Sequence, residues 1–352
     1  MMREEMEQQG LPESLPENSK QGRRGCLWAV VVVQSIALML IVVIAIISAM
    51  VSSIISGAKP GKLGMGADQN PVLKEVWSWG SGDAKVVAVP ISGFISLSRE
   101  EGMFGEPAGS SVTALLSIRR ATHDKDVKAI ILNINSGGGG ITASDIIYRS
   151  LLAFKAAQPG RKVISVYGDV SASGAYYISL ASDYIISHPT AITGSIGVIM
   201  QGMNIKGLSE KIGIKDVTIK SGKNKDLLNP FHDVPAEQIA MLQVIIDEMH
   251  TQFVTIVADE RNIPIENVRD LADGRIFTAS QAVELGLVDN VGYWEDAVAK
   301  AAELLQVSDV KIYRYEQEFS LSSLFKSSQS WDPATALLRK STQTRFLYLW
   351  RL

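Results

Sequence analysis

The chain has 352 residues, and its 34 Lys and Arg residues nearly balance its 37 Asp and Glu residues, for a formal net charge of −3. This balance argues against a nucleic-acid partner, because such partners select strongly basic surfaces. Cys26 is the only cysteine, and the four histidines show no zinc-ligand spacing, so a disulfide scaffold and a structural zinc site are excluded and we expect no metal or organic cofactor.

An uncharged segment near the N-terminus is long enough to cross a membrane. Residues 27–51 carry no charged side chain and as a helix would extend about 37 Å, against about 30 Å of hydrocarbon. The apolar core of a cleaved signal peptide is shorter, so we predict a retained transmembrane anchor over 26–52 after a disordered cytoplasmic tail over 1–25. Arg23 and Arg24 favour a cytoplasmic N-terminus, which would place most of the chain outside the cytoplasm.

The remainder predicts one folded unit of alternating strands and helices. Gly- and Pro-rich residues 53–83 are typical of a flexible linker; the folded unit is expected over 84–305 and a C-terminal extension over 306–352. Strands are predicted over 85–91, 129–134 and 162–167, and helices over 112–122 and 176–181. This alternation predicts βαβ crossovers and an α/β fold with a mainly parallel sheet.

A long helix is predicted downstream of these elements. Apolar residues recur at helical spacing from Ile239 to Val257. This stripe belongs either to the core or to an interface with a partner subunit. The chain ends in an aromatic run from Phe346 to Trp350.

A glycine cluster, Asn135 to Gly140, lies between a predicted strand and a predicted helix. Glycines allow backbone N–H groups to approach a ligand closely, and a helix N-terminus favours negative charge. The spacing matches neither a P-loop nor a dinucleotide-binding loop. An oxyanion hole and a tight structural turn are the two remaining interpretations. Thr142 and Asp145 form a capping-box pattern at the start of the following helix.

Ser173 lies in a second run of small residues, Asp169 to Tyr177, directly after a strand and before a helix. A serine at this position is exposed at the carboxyl edge of the sheet, where open α/β sheets bind ligands. The amide of the next residue can face a developing oxyanion. A close-packed turn is the structural alternative.

A nucleophilic serine needs a base. His188 is near in sequence but precedes a proline, and no carboxylate is evidently placed to orient it. A lysine serves as a base only where burial and the absence of a carboxylate partner lower its pKa from about 10.4. Lys220, Lys223 and Lys225 are the candidates, and the pattern does not choose among them.

Five ordered motifs across residues 85–305 together resemble the signal peptide peptidase A family, the bacterial Ser/Lys membrane proteases of peptidase family S49. They are Asn135 to Gly140, Ala172 to Tyr177, Thr193 to Val198, Lys220 to Asp226, and Gly274 to Thr278 with Gly286 to Asp289. The resemblance implies the Clp/crotonase-like fold of repeated βαβ units. Two departures are Gly137, where the family has proline, and Ala279, where it has glycine.

The resemblance also implies a role for each site residue. Ser173 would be the nucleophile, Lys225 the general base, and Ser195 the hydroxyl that orients the lysine. The backbone N–H groups of Gly139 and Gly174 would form the oxyanion hole.

The function implied is that of a membrane-anchored serine endopeptidase. Its substrates would be signal peptides left in the membrane, cleaved through an acyl-enzyme by a ring-shaped homo-oligomer in contact with lipid. It would be a single-pass protein of the bacterial inner membrane, with its catalytic domain (84–305) extracytoplasmic. The alternatives are a crotonase-like acyl-CoA enzyme and a non-catalytic membrane scaffold; loss of Ser173 or Lys225 would indicate the scaffold, and both are present.

Overall fold

The computed structural model describes residues 34–36, 38–44, 69–97, 110–316 and 346–349. The chain divides into two units, 1–64 and 65–352. Of the predicted anchor over 26–52, residues 34–36 and 38–44 are helical and exposed; the rest of the anchor and the predicted tail over 1–25 lie outside the described residues. Within the described ranges, no helix is both long enough and apolar enough to span a membrane.

A mainly parallel sheet organises the second unit. Its strands run in the order β1-β11-β2-β3-β5-β6-β10, and β7 joins β5 to β9. Pairs along β11, β2, β3, β5, β6 and β10 are parallel, whereas β1 with β11 and β7 with β9 are antiparallel. A second, antiparallel sheet has the order β4-β12-β8. The strands are β1 (Lys74–Trp79), β2 (Ala84–Ser92), β3 (Val127–Ser136), β4 (Gly138–Gly140), β5 (Lys162–Ala172), β6 (Tyr184–Ser187), β7 (Ile192–Gly194), β8 (Ile199–Met200), β9 (Ile276–Thr278), β10 (Asn290–Val291), β11 (Val310–Glu316) and β12 (Phe346–Leu349).

Helices cover both faces of the main sheet. They are α1 (Ser110–His123), α2 (Ile141–Ala157), α3 (Gly174–Ser179), α4 (Lys206–Ile212), α5 (Ala236–Arg261), α6 (Ile265–Leu271), α7 (Ala279–Glu284) and α8 (Trp294–Leu305). Alternate residues of β3 enter opposite cores: Ile130 packs in the cluster that contains Phe154 of α2, and Ile131 in the cluster that contains Ala301 of α8. A strand buried on both faces explains why its sequence is a continuous apolar run. The predicted α/β class and mainly parallel sheet are confirmed.

The folded unit extends beyond the boundaries predicted from sequence. Residues 74–79, predicted as linker, form β1, and residues 310–316, predicted as extension, form β11 and pair with β2. Strand β1 is mostly exposed and is held by its backbone ladder to β11, so it lacks the apolar signal by which strands are recognised.

The capping box predicted at Thr142 and Asp145 is wrong. Helix α2 begins at Ile141 after Gly140, and no side chain caps it. The Asp145 carboxylate instead accepts a hydrogen bond of 2.8 Å from the hydroxyl of Tyr177. The Asp145 side chain therefore binds Tyr177, 32 residues away along the chain, and does not cap the helix as the local spacing predicts.

The long helix predicted from Ile239 onward is α5, and its apolar stripe has two environments. In its C-terminal half, Phe253 and Val257 are buried in the core. In its N-terminal half, Ile239 is 55% exposed and Val244 is 66% exposed. The core interpretation therefore holds for the second half of the stripe, whereas in the first half Leu242 is buried and Ile239 and Val244 are exposed.

Candidate active site

Ser173 lies in a sharp turn between β5 and α3, with φ 56° and ψ −118°. Positive φ is uncommon for a residue with a Cβ, and such strain persists only where neighbouring contacts hold it. The Ser173 amide donates to the Gly194 carbonyl at 2.8 Å, and its carbonyl accepts from the Tyr177 amide at 2.9 Å. The residue is 1% exposed, and its hydroxyl has no hydrogen-bond partner within the described residues. This turn holds Ser173 at the carboxyl edge of the sheet.

Ser195 occupies a similar turn on the neighbouring strand. Strand β7 pairs with β5 so that Gly194 lies opposite Ala172. Ser195 has φ 50°, is 7% exposed, and donates its amide to the Arg275 carbonyl at 2.7 Å. The register thus brings Ser173 and Ser195 to adjacent turns at one sheet edge, although no hydrogen bond joins their hydroxyls.

The predicted glycine turn is a short strand, β4. The Gly138 amide donates to the hydroxyl of Ser136 at 3.0 Å, and the Gly140 amide donates to the Ile95 carbonyl at 2.9 Å. Ile95 in turn donates to the Gly138 carbonyl at 3.0 Å. A Cβ at Gly139 would collide with the Ile95 carbonyl oxygen, so only glycine permits this approach. The amides of Gly138 and Gly140 are thus already bonded, and the Gly139 N–H is the one available to a strand that pairs with the other edge of β4.

Gly139 and Gly174 lie side by side. A Cβ built on Gly174 would be 3.2 Å from the Gly139 amide nitrogen and 2.5 Å from the Ser144 hydroxyl. A Cβ built on Gly138 would be 2.7 Å from the Gly174 amide nitrogen. Two backbone nitrogens from different loops therefore lie close together next to Ser173, and an oxyanion hole requires two such donors.

The C-terminal strand β12 lies along β4. It pairs antiparallel, with Tyr348 opposite Gly139 and Leu349 opposite Gly138. The carbonyl oxygen of Tyr348 would be 3.2 Å from a Cβ on Gly174 and would collide with one on Gly138. The Tyr348 carbonyl oxygen therefore lies close to both Gly138 and Gly174.

The side chain of Tyr348 fills an aromatic pocket. Its ring stacks on Tyr177 at 5.2 Å and contacts Phe253 at 4.7 Å between centroids, and Tyr148 packs edge-on against Tyr177 at 5.3 Å. The Tyr348 hydroxyl donates to the Met249 carbonyl at 3.1 Å. Burial, together with the charge of Asp145, raises the pKa of Tyr348; burial and the hydrogen bond to Asp145 raise that of Tyr177. The phenols that line the pocket therefore stay uncharged at neutral pH.

Sequence reasoning missed this strand and pocket. The aromatic run from Phe346 to Trp350 was the available signal, because alternating large residues at a chain end are typical of a strand. Its partner is a glycine strand 200 residues earlier, which has no strand propensity of its own, so no local pattern indicates the pairing.

The structure distinguishes the three candidate lysines. Lys220 pairs with Asp226 at 2.7 Å, and Lys223 pairs with Glu237 at 2.8 Å. Lys225 is exposed and has no carboxylate partner among the described residues. No hydrogen bond joins its side chain to Ser173 or Ser195 within the described residues.

The His188 side chain contacts Thr190 and Tyr293. Its Nδ1 lies 2.8 Å from the Thr190 hydroxyl, and its ring packs edge-on against Tyr293 at 5.1 Å. It makes no hydrogen bond to Ser173, so the described contacts do not support a Ser-His pair. In the described ranges no group of three or more His, Cys, Asp or Glu is placed to hold a metal ion.

Large apolar side chains are exposed over residues 203–219 and 239–244, which flank Lys225 in the sequence. The most exposed are Ile219 at 98%, Val217 at 85% and Met203 at 76%. We call residues 203–244 the apolar segment; its other exposed members are Leu208, Ile212, Ile214, Ile239, Met241 and Val244. An apolar surface of this extent is typical of a protein interface.

A family model and several relatives indicate a protease family. Residues 155–308 match the model of peptidase family S49. A putative signal peptide peptidase SppA of Enterococcus faecium is 35% identical over 249 residues, which is 71% of this chain and 72% of the relative. A putative protease of Synechocystis is 40% identical over 59% of this chain and 74% of its own length. The chloroplastic serine protease SPPA of Arabidopsis thaliana is 32% identical over 59% of this chain and 31% of its own length.

Proposed function

The chain belongs to peptidase family S49, and from this premise we propose that it is a serine endopeptidase that uses Ser173 as nucleophile and Lys225 as general base. The observation that carries the proposal is the turn at Ser173, next to two neighbouring glycine amides and a peptide strand on β4. Family membership favours this peptidase over the acyl-CoA enzyme considered from sequence.

The proposed reaction follows from these positions. The Ser173 hydroxyl attacks the substrate carbonyl while Lys225 takes its proton, and the N–H groups of Gly139 and Gly174 stabilise the oxyanion. Lys225 returns the proton to the leaving amine, and water then hydrolyses the acyl-enzyme. Ser195, in the adjacent turn, orients the lysine amine.

Lys225 is supported as the base because the other two candidates are already paired with carboxylates. Lys225 needs a dry environment, which an exposed position in one chain does not supply. We therefore propose that a second copy covers the apolar segment, buries Lys225, and completes a closed ring around the active sites.

Substitution within the apolar segment tests this assembly. Ile219→Glu places a charge on a side chain that is 98% exposed, so the fold should persist while the oligomer dissociates and peptidase activity falls with it. Val72→Glu is the matched control, because Val72 is 88% exposed but lies outside the segment. Light scattering and circular dichroism check the result. A fully active Ile219→Glu monomer would contradict the proposed assembly.

The proposed substrates are signal peptides left in the membrane. An extended peptide on β4 would be recognised through its backbone, and the uncharged aromatic pocket would accept a large apolar side chain. Backbone recognition on β4 and the apolar pocket both favour substrates that are apolar and extended. The Enterococcus relative carries the same substrate class in its name.

The proposed location is the inner membrane, with the anchor over 26–52 in contact with lipid and the catalytic domain outside the cytoplasm. The uncharged segment over 27–51 and the arginines before it support this topology. Protease added to spheroplasts should then digest the domain after Ala84 and spare an epitope tag placed before Lys20. Digestion of the tag with protection of the domain would reverse the topology.

Hydrolysis of an internally quenched apolar peptide by the purified full chain tests the proposed function. Wild-type protein should cleave the peptide, and Ser173→Ala should not. Ser195→Ala should lose about ten- to a hundredfold, as expected when a positioning contact is removed. Equal hydrolysis by wild type and Ser173→Ala would show that the activity comes from another site or a contaminant.

A further inference from the structure

We propose that Asp273 is a positioning residue for the reaction, and that it acts by fixing the loop 273–275, which holds the turns of Ser173 and Ser195. This role rests on the proposed peptidase function and adds to it a residue that touches neither the substrate nor the reacting atoms. The loop overlaps the sequence motif from Gly274 to Thr278, which has no part in the chemistry proposed above.

One peptide group joins both serine turns to this loop. It is the peptide group between Gly194 and Ser195. Its carbonyl accepts a hydrogen bond of 2.8 Å from the Ser173 amide, and its N–H donates to the Arg275 carbonyl at 2.7 Å. Both serines have positive φ, 56° and 50°, and such a conformation persists only where neighbouring contacts hold it. The position of the Arg275 carbonyl therefore bears on both turns.

Further contacts attach the loop to its surroundings. The Gly274 amide donates to the Ile196 carbonyl at 3.2 Å, just after the Ser195 turn. On the other side, the Ala272 carbonyl lies 2.8 Å from Nε2 of His250 in α5. Gly274 has φ 90°, a conformation that favours glycine. Strand β9, which follows the loop, pairs with β7. The loop is thus held between α5 and the strand that carries Ser195.

Asp273 fixes the conformation of the loop from within. Its carboxylate accepts three hydrogen bonds from Arg275: from the backbone amide at 3.0 Å, from Nε at 2.8 Å and from Nη2 at 2.6 Å. These hydrogen bonds lower the pKa of the Asp273 carboxyl to about 2, so the carboxylate is charged at neutral pH. Because both the amide and the side chain of Arg275 are held, its carbonyl stays directed at Ser195.

The exposure of this ion pair separates a positioning role from a structural one. The side chains of Asp273 and Arg275 are 53% and 56% exposed, and an exposed ion pair contributes little to stability. Loss of Asp273 should therefore leave the melting temperature near its wild-type value. A shift of the two serine turns should nevertheless lower turnover, since misplacement of reacting groups by about 1 Å can cost about a hundredfold.

Turnover of the quenched apolar peptide by the purified full chain tests the proposal. Asp273→Ala should lower kcat by about ten- to a hundredfold, with a smaller change in KM. Glu266→Ala is the matched control and should keep wild-type turnover, because Glu266 forms an exposed ion pair with Arg269 at 3.1 Å on α6. Normal turnover of Asp273→Ala would overturn the positioning role and leave the proposed function standing. Wild-type protein without Ser173-dependent hydrolysis would overturn both.

A double variant tests whether Asp273 acts through the Ser195 turn. Asp273→Ala combined with Ser195→Ala should lose less than the product of the two single losses, because the second change removes a hydroxyl that is already misplaced. Full multiplication of the two losses would overturn the proposal. Asp273→Asn keeps an oxygen that can accept from the Arg275 amide, so it should retain more turnover than Asp273→Ala. Equal losses for these two variants would contradict the role of that hydrogen bond.

Discussion

Replacing either Ser173 or Lys225 with alanine should lower kcat for the apolar peptide by about 10⁴-fold or more, because nucleophile and base act as one unit. The double variant should be no slower than the slower single variant, since the losses do not add. The measurement is turnover of the quenched peptide under saturating conditions, with circular dichroism to establish that each variant is folded.

Lys223→Ala is the matched control for the lysine. Lys223 lies two residues away and is paired with Glu237 on the surface, so its loss should leave turnover near the wild-type value. If Lys225→Ala kept normal turnover while His188→Ala lost it, the base would be the histidine and the Ser/Lys mechanism would be wrong.

Gly139→Ala should reduce kcat by about 10² to 10³-fold, the cost typical of losing one oxyanion-hole donor. A methyl group at this position would collide with the Ile95 carbonyl oxygen, and either Ile95 or the glycine strand must move. Because Ile95 is hydrogen-bonded to both Gly138 and Gly140, either movement should displace the Gly139 N–H. The value of KM should change less than kcat, because the oxyanion forms only during the reaction.

Gly140→Ala is the control for this substitution, one residue away on the same strand. Its φ is −62°, which any residue adopts, and a Cβ there would meet its nearest neighbours at 3.6 and 3.7 Å. We therefore expect near-normal turnover and an unchanged melting temperature. Equal losses for both variants would show that any side chain on β4 is harmful and would remove the specific role of Gly139.

The sheet and the serine turn are predictable from sequence because their signals are local. The apolar runs of β2, β3 and β5 and the helices between them follow from periodicity, and a serine among small residues after a strand indicates a turn at the carboxyl edge of the sheet. Neither the edge strand β1 nor the cap of α2 could be predicted this way. Strand β1 depends on a ladder to β11, and Asp145 is taken by Tyr177.

The pairing of β4 with β12 depends on contacts between residues that are still further apart in sequence. Gly139 meets Tyr348 across more than 200 residues, and neither residue carries a propensity that indicates the other. The choice among three lysines was likewise open, because spacing does not reveal which amines are paired with carboxylates. The pairs of Lys220 and Lys223 become visible only when the chain is folded.

Covalent labelling with a fluorophosphonate tests the central claim, nucleophilic catalysis by Ser173 with Lys225 as base, most directly. The reagent phosphonylates activated serines, and peptide mapping of the labelled full chain identifies the modified residue. We predict modification of Ser173 in wild-type protein, no modification of Ser195, and loss of labelling in Lys225→Ala. Labelling of a different serine in protein that hydrolyses the peptide, or equally rapid labelling of Ser173 in Lys225→Ala, would contradict the account.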